Sequence, residues 1–440
     1  MGLLSFRGGI HPPHYKKTTE QCSVQNAIEP KMVFIPMRQH IGAPSNAVVK
    51  KGDQVKMGQV IGESSSFIST YIHSSVSGIV VDVKMVATLG GTELCVVIES
   101  DGLNEWHESV KPNANPQSLT VEALLKIIKE AGIVGMGGAG FPTHIKLAPP
   151  KEKPINALII NGAECEPYLT ADHRLMLETP SKIVDGIQIM MKILSVEKAF
   201  IGIEDNKSEA ISAMKREVEK DPRIKVVALH TKYPQGAEKQ LIFACTGKMV
   251  PSGGLPMDAQ AVVNNVATAA AIADAVLLGI PLIERICTIT GSAVAEPKNL
   301  RIKVGTPLNE LVEQCGGIKG TVGKIILGGP MMGLASHTLE IPSTKTTSGI
   351  LLMNEAEAAP REMSNCIKCN RCVEVCPAFL QPVYMSAYSL KDDYEGAEKF
   401  KSLDCIECGS CSFVCPANRP LLPSIRVAKR EILAKRRKQG

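Results

Sequence analysis

Aromatic residues are scarce in this chain: 4% of its 440 residues are Phe, Tyr or Trp, and there is a single Trp. Recognition of single-stranded nucleic acid leans on aromatic stacking platforms, so that class of function is a poor fit. Charge of one sign is lacking too. The 49 basic and 44 acidic residues leave a formal +5, too little to mark a polyanion as the main partner. No apolar run approaches the ~18 residues of a membrane-spanning helix. The longest candidate, 266–283, is interrupted by Asp274, Gly279 and Pro281. No basic-then-apolar leader opens the chain, since MGLLSFRGGIHPPHYKK turns polar within ten residues. These absences predict a protein that is soluble or peripheral to a membrane.

A disulfide framework is also missing, although the chain has 14 cysteines. Cys22, Cys95, Cys165, Cys245, Cys287 and Cys315 are scattered without a pairing pattern, and packing is the default role for such residues. The other eight form two runs, CIKCNRCVEVCP (366–377) and CIECGSCSFVCP (405–416). Each is Cys-x2-Cys-x2-Cys-x3-Cys-Pro, the spacing with which bacterial ferredoxins hold [4Fe–4S] clusters, the fourth cysteine of each run ligating the other cluster. The expected sets are Cys366, Cys369, Cys372 and Cys415 for cluster 1, and Cys405, Cys408, Cys411 and Cys376 for cluster 2. Zinc sites take four ligands in two pairs, which a four-plus-four pattern with a proline after each run does not match. Oxygen-sensitive clusters and loose thiols together fit a reducing compartment. The chain reads as an electron carrier.

At about 150 residues per domain the length allows roughly three domains. Residues 1–110 read as an irregular lead-in followed by short strands and glycine turns. The phrase VKKGDQVKMGQVIGE followed by SVSGIV looks like a biotinyl/lipoyl-type barrel-sandwich hybrid. No lysine occurs between Lys56 and Lys84, so carrier chemistry is absent and a docking or structural module is expected. From 119 to 283 helices and strands alternate, which predicts an α/β layer with a substantially parallel sheet. Residues 284–350 return to strands around one short helix, a β-grasp-like pattern, and end in a Thr/Ser-rich linker at 343–349. Residues 360–440 carry the cysteine runs and a final helix dense in Lys and Arg, suited to solvent, an acidic partner or anionic lipid.

The α/β region has four polar or glycine-rich stretches that packing explains poorly. GMGGAG (135–140) fits the G-x-G-x-x-G expression, but a helix precedes it and Phe141-Pro142 follows, unlike the usual dinucleotide fold. Its glycines still let backbone approach a flat or phosphorylated ligand. NGAECEP (161–167) follows a buried strand, at the carboxyl end where α/β sheets bind ligands. QGAEKQL (235–241) and VVNNVAT (262–268) complete the set.

In this order the stretches resemble the flavin- and NADH-binding subunit of respiratory complex I and its relatives. The resemblance implies non-covalent FMN at Gly135, Gly137, Gly138, Lys146, Asn161, Glu164, Gly236, Asn264, Asn265 and Thr268. It implies NADH near Phe141, Glu166 and Glu238, with no catalytic residue beyond the flavin. Met136 stands where that family has arginine, and Ala237 replaces one of its acidic residues. The whole chain is similar to the RnfC family of the Rnf electron-transport complex, in which a barrel-sandwich domain opened by GGIHPP precedes an FMN-type α/β domain, a soluble-ligand-binding β-grasp domain and two [4Fe–4S] clusters. That resemblance implies an electron-input subunit at the cytoplasmic face of an ion-translocating NAD:ferredoxin oxidoreductase. Its partners would be NADH and other subunits of the membrane complex, one of them an iron–sulfur protein. Two readings compete with this one: a soluble flavin/iron–sulfur reductase of the cobalamin-reductase type, and a flavin-free iron–sulfur adaptor.

Overall fold

The computed structural model describes residues 3–64 and 66–439. The first domain is built on apolar alternation. Strands Met32–Pro36, Gly91–Ser100, Gly78–Thr88 and Gln54–Val55 form one sheet; Asn46–Ala47, Val60–Glu63 and Ile72–His73 form a second. Val33, Ile35, Val80, Val96 and Ile98 from the first sheet meet Ile61 and Ile72 from the second in a single core. Successive strand residues point to opposite faces, which is why these alternate positions end up inside.

The second domain centres on four parallel strands in the order Ile224–Leu229, Ala199–Glu204, Ala157–Asn161 and Ala261–Asn265. Parallel sheets are covered on both faces, and the central ALII run (157–160) is buried throughout. Pro180, at the first position of helix Pro180–Leu194, separates it from helix Ala171–Glu178. Helix Pro180–Leu194 packs on Val266–Ala273 so closely at Gly186 that a Cβ there would lie 1.9 Å from the Ala269 carbonyl oxygen. The apolar run at 266–283 is therefore a core helix; it ends in one π-turn at Asp274–Leu278 and a left-handed Gly279. Among the described residues no helix is long and apolar enough to cross a membrane.

The third sheet has six strands, in the order Val24–Asn26, Lys298–Lys303, Glu284–Thr290, Gly349–Asn354, Val322–Leu327 and Leu334–Ser336. Its edge strand comes from the lead-in, which the sequence groups with the first domain as irregular chain. The lead-in also bridges Leu4 to Leu229 and Ile10 to Tyr233. Its sequence has no apolar period because backbone pairing and separate buried residues such as Phe6, Ile10 and Lys16, not one continuous apolar face, hold it. The Thr/Ser-rich segment 343–349 is likewise no solvated linker: Ser343, Lys345 and Thr347 are buried, and the Lys345 ammonium donates to the carbonyls of Tyr71 and Gly132. The last module packs helices Pro382–Ser389, Tyr394–Lys399 and Leu421–Gln439 through Met385, Ile425, Ala397, Ala428 and Ile432.

Candidate functional site: two cysteine cavities beside a glycine-lined crevice

Each cysteine run curls through left-handed residues at matching positions, Lys368 and Asn370 in the first and Glu407 and Gly409 in the second. Cys366, Cys369, Cys372 and Cys415 line one cavity of about 370 Å³, open mouth included. Cys376, Cys405, Cys408 and Cys411 line another of about 350 Å³. Among the described residues no three His, Cys, Asp or Glu side chains are grouped tightly enough for a single metal ion. All 14 thiols are free. Four thiols spread around a cavity, one of them crossing from the other run, fit a cube rather than an ion.

The cavities differ in burial. Cys366 and Cys369 are exposed, whereas Cys408 and Cys411 are buried. Burial pushes the Cys405 thiol up to about 11 and the Cys411 thiol up to about 12, so both need the charge of bound iron to stay thiolate. Backbone amides of Glu407 and Leu380 donate to Cys405 Sγ and Cys376 Sγ at 3.4 and 3.3 Å. The buried cavity also abuts the second domain. Cys408 packs with Ile10, Tyr233, Cys165 and Met331, and the Tyr233 hydroxyl donates to the Cys408 carbonyl at 2.8 Å.

The glycine stretch is a loop closed at its base by a bridge between Val134 and Pro142 and by the Gly135 amide donating to the Phe141 carbonyl. Phe141 is half-buried beside it. The Thr268 hydroxyl accepts the Met136 amide at 2.9 Å, and Gly137 lies against Asn265. Gly138, at φ +139, has open space where a Cβ would point. Met136, in the family's arginine position, sits in the apolar core. Lys146 pairs with Glu238 at 2.6 Å. Asn161 donates to the Gly236 carbonyl at 2.8 Å, and Asn265 caps helix Val266–Ala273 while donating to Asp172 at 2.6 Å. The structure thus gathers the four stretches at the carboxyl ends of strands Ala157–Asn161 and Ala261–Asn265.

Two sequence-named acids have structural duties. Glu164 accepts the amides of Asp172 and His173 and so caps helix Ala171–Glu178. Glu166 accepts the amides of Met331 and Met332, at 3.0 and 2.8 Å, tying the loop to the third domain. Burial raises its carboxyl to about 7 against the pull of those two amides.

The fit to a flavin rests on unspent polarity. The Asn264 side-chain nitrogen and both polar atoms of the Gln235 side chain are buried without a hydrogen-bond partner. Native interiors rarely leave such groups unpaired unless a ligand or water meets them. The sequence does not single out Gln235, although it directly precedes Gly236.

Two lysines escape the sequence reading as well. Wholly buried Lys16 donates to the carbonyls of Glu164 (2.8 Å), Glu166 (3.0 Å) and Leu169 (2.5 Å), and Lys207 donates to that of Ala163 at 2.7 Å. They hold a loop in which Glu164 and Tyr168 are left-handed, at φ +45 and +70. HYKK gives no signal, because nothing in it shows that a polar lead-in folds back.

Comparison with known proteins matches four family models. They are an RnfC barrel-sandwich hybrid domain over 4–103, a Nuo51 FMN-binding domain over 128–274, an SLBB domain over 286–335 and a 4Fe-4S dicluster domain over 360–416. The chain is 50% identical over 435 residues to the C subunit of the Na(+)-translocating ferredoxin:NAD(+) oxidoreductase complex of Acetobacterium woodii, covering 99% of this chain and 98% of that one. It is 54% identical over 431 residues to the C subunit of the proton-translocating ferredoxin:NAD(+) oxidoreductase complex of Clostridium ljungdahlii, covering 98% and 94%. An NAD+-reducing [NiFe]-hydrogenase crystal structure, in the H2-reduced state, aligns with a TM-score of 0.49 at 19% identity, over 73% of this chain and 62% of that chain.

Proposed function

The chain belongs to the RnfC family, found in ion-translocating ferredoxin:NAD(+) oxidoreductase complexes, and on that premise we propose that it is the peripheral subunit through which such a complex exchanges electrons with NADH. It is an oxidoreductase component with an FMN-binding domain and two [4Fe–4S] clusters. The observation that supports the finer reading is one apolar cluster of Cys408, Tyr233 and Ile10 with Cys165 packed against it, because Cys165 Sγ in turn accepts the Gly236 amide at 3.3 Å.

FMN, when bound, would supply the exchange of a hydride with a nicotinamide and of single electrons with iron–sulfur clusters. The chain's own residues supply binding and orientation. Gly135, Gly137 and Gly138 let backbone approach the ring or phosphate, Lys146 would offset phosphate charge by exchanging its Glu238 partner, and Asn264 offers a donor that protein leaves unused. Asn161, Gly236, Asn265, Thr268 and Glu164 fix the crevice walls through the bonds described above. Phe141 and Glu238 would face NADH; Glu166, expected beside the nucleotide, is instead taken up by the Met331 and Met332 amides. No side chain is called on as general acid or base.

The buried cube, held by Cys376, Cys405, Cys408 and Cys411, would stand next to the flavin. The surface cube, held by Cys366, Cys369, Cys372 and Cys415, would face another protein of the complex at the cytoplasmic side of the membrane. Anaerobic purification followed by NADH titration tests this. We expect FMN, iron for two clusters and bleaching of the flavin absorbance by NADH. FMN and full iron without bleaching would overturn the nucleotide half; a chain that takes up no FMN would favour the adaptor reading. Retention of membrane subunits on purification separates the proposal from a soluble reductase.

A further inference from the structure

The two cysteine runs share a backbone but not a charge. Their second intervening residues, Lys368 and Glu407, occupy the same left-handed position, φ +56 and +58. Lys368 lies on the open rim of the exposed cavity and has no carboxylate partner among the described residues. Glu407 is turned toward the final helix, where Arg426 Nε meets one of its oxygens at 2.9 Å and Lys429 Nζ the other at 2.6 Å. Lys429 also donates to the Cys405 carbonyl at 2.8 Å, which seats its ammonium on the loop of a cluster ligand. Two cations against one carboxylate leave a net positive charge there, and Lys429, at 18% side-chain exposure, is only lightly screened.

Reduction adds an electron to a thiolate-bound cube that is already anionic. Burial opposes that step, because low dielectric disfavours added charge; a nearby cation and amides donating to sulfur favour it. The buried cube therefore faces a penalty that the surface cube, open to water, largely escapes. We propose that Lys429 and Arg426, opposed by Glu407, set the reduction potential of the buried cluster, their net positive charge keeping it reducible despite its burial. The three side chains do not ligate iron. They act through the Cys405–Cys408 loop and through space, as positioning and potential-setting residues. Part of the basic character of the final helix is thus directed inward. Lys435 and Arg436, paired with Glu395 and Glu398, remain exposed, so only Lys429 and Arg426 are taken up by the Cys405–Cys408 loop.

This inference rests on the assignment of Cys376, Cys405, Cys408 and Cys411 to one cube. The test is a redox titration of the full chain with both clusters loaded, followed by electron paramagnetic resonance, for wild type, Lys429→Met, Lys429→Arg and Glu407→Gln. Lys429→Met should move one of the two cluster steps to lower potential, Glu407→Gln should move the same step to higher potential, and Lys429→Arg should restore it. Lys368→Met should affect only the other step. A purely structural contact cannot give shifts of opposite sign at one node. Shifts of the same sign, or none, in a chain that still shows two reducible clusters would overturn the proposal. Fewer than two clusters in the wild type would instead overturn the ligand assignment. If Lys429→Met fails to hold iron, Glu407→Gln decides alone, since only an upward step supports the inference.

Discussion

Asn264 and Lys16 mark opposite kinds of buried polarity beside the same crevice. The Asn264 amide nitrogen has no acceptor in the protein, and an unpaired buried donor costs about 1–3 kcal/mol. Asn264→Ala should leave the flavin-free chain as stable or slightly more stable, while weakening FMN binding about tenfold, equivalent to ~1.4 kcal/mol. Fluorescence-quench titration and thermal melts of the flavin-free chain check the two halves separately. A drop in flavin-free stability would make Asn264 a structural residue instead. Lys16 is fully engaged. Lys16→Met would strip three buried carbonyls of their donor and should lower stability by about 2–4 kcal/mol, read by denaturant unfolding. Arginine should rescue poorly, since a planar fork cannot take the place of an ammonium that donates to three converging oxygens.

At the scale of elements, the first domain and the segment 343–349 brace the glycine loop from behind. The Ile41 amide donates to the Gly140 carbonyl at 3.1 Å, and Gly140 lies against Thr346. His40, His73 and His144 are buried in this junction with Lys345, near Lys129, Arg38 and Glu130. Burial holds His73 down to about 3 and His144 down to about 4, and lowers His40 as well. These groups are neutral when folded, whereas the unfolded chain binds protons below about 6.5. Their contribution is therefore intact above pH 6.5 and is lost as pH falls toward 4. Burial holds Lys345 down to about 7, so its share changes only above neutrality. Raised carboxyls such as Glu166 act in the opposite sense over the same range, so the histidine share is read by difference: between pH 6.5 and 4, His73→Asn should lose less of its thermal midpoint than the wild type does. Regular elements here are legible because their apolar periods are intact: ALII at 157–160 and AFIGIE at 199–204 declare buried strands. The lead-in and 343–349 are not, since carbonyl and ammonium partners hold them and leave no period in the sequence. Clustered cysteines announce their chemistry by spacing and the glycine stretches only through the family resemblance they carry, whereas Lys16 acts through carbonyls far along the chain and Gln235 stands out only by its unpaired side chain in the fold.

Across the whole molecule the order of the two clusters follows from what covers each. Ile10, Tyr233 and Cys408 form one apolar cluster with Cys165 and Met331 packed against it, so the lead-in, the second domain and the third all meet the loop that carries Cys408. The Gly9 amide adds a bond to the Val375 carbonyl at 2.8 Å, next to Cys376. Around the other cube Cys366 and Cys369 are exposed, and Lys368, Arg371 and Arg419 supply the charge on its cavity wall. Electrons entering at the crevice should therefore pass the buried cube before the exposed one. Two serine variants separate this order from its reverse. Cys369→Ser should remove the surface cluster and leave the buried one reducible by NADH. Cys408→Ser should remove the buried cluster and leave a surface cluster that responds to a strong chemical reductant but only slowly to NADH. Rapid-mixing spectroscopy under anaerobic conditions distinguishes the two. Fast NADH reduction of the surface cluster in Cys408→Ser would reverse the order and move the flavin-facing contact to the Cys366–Cys372 loop.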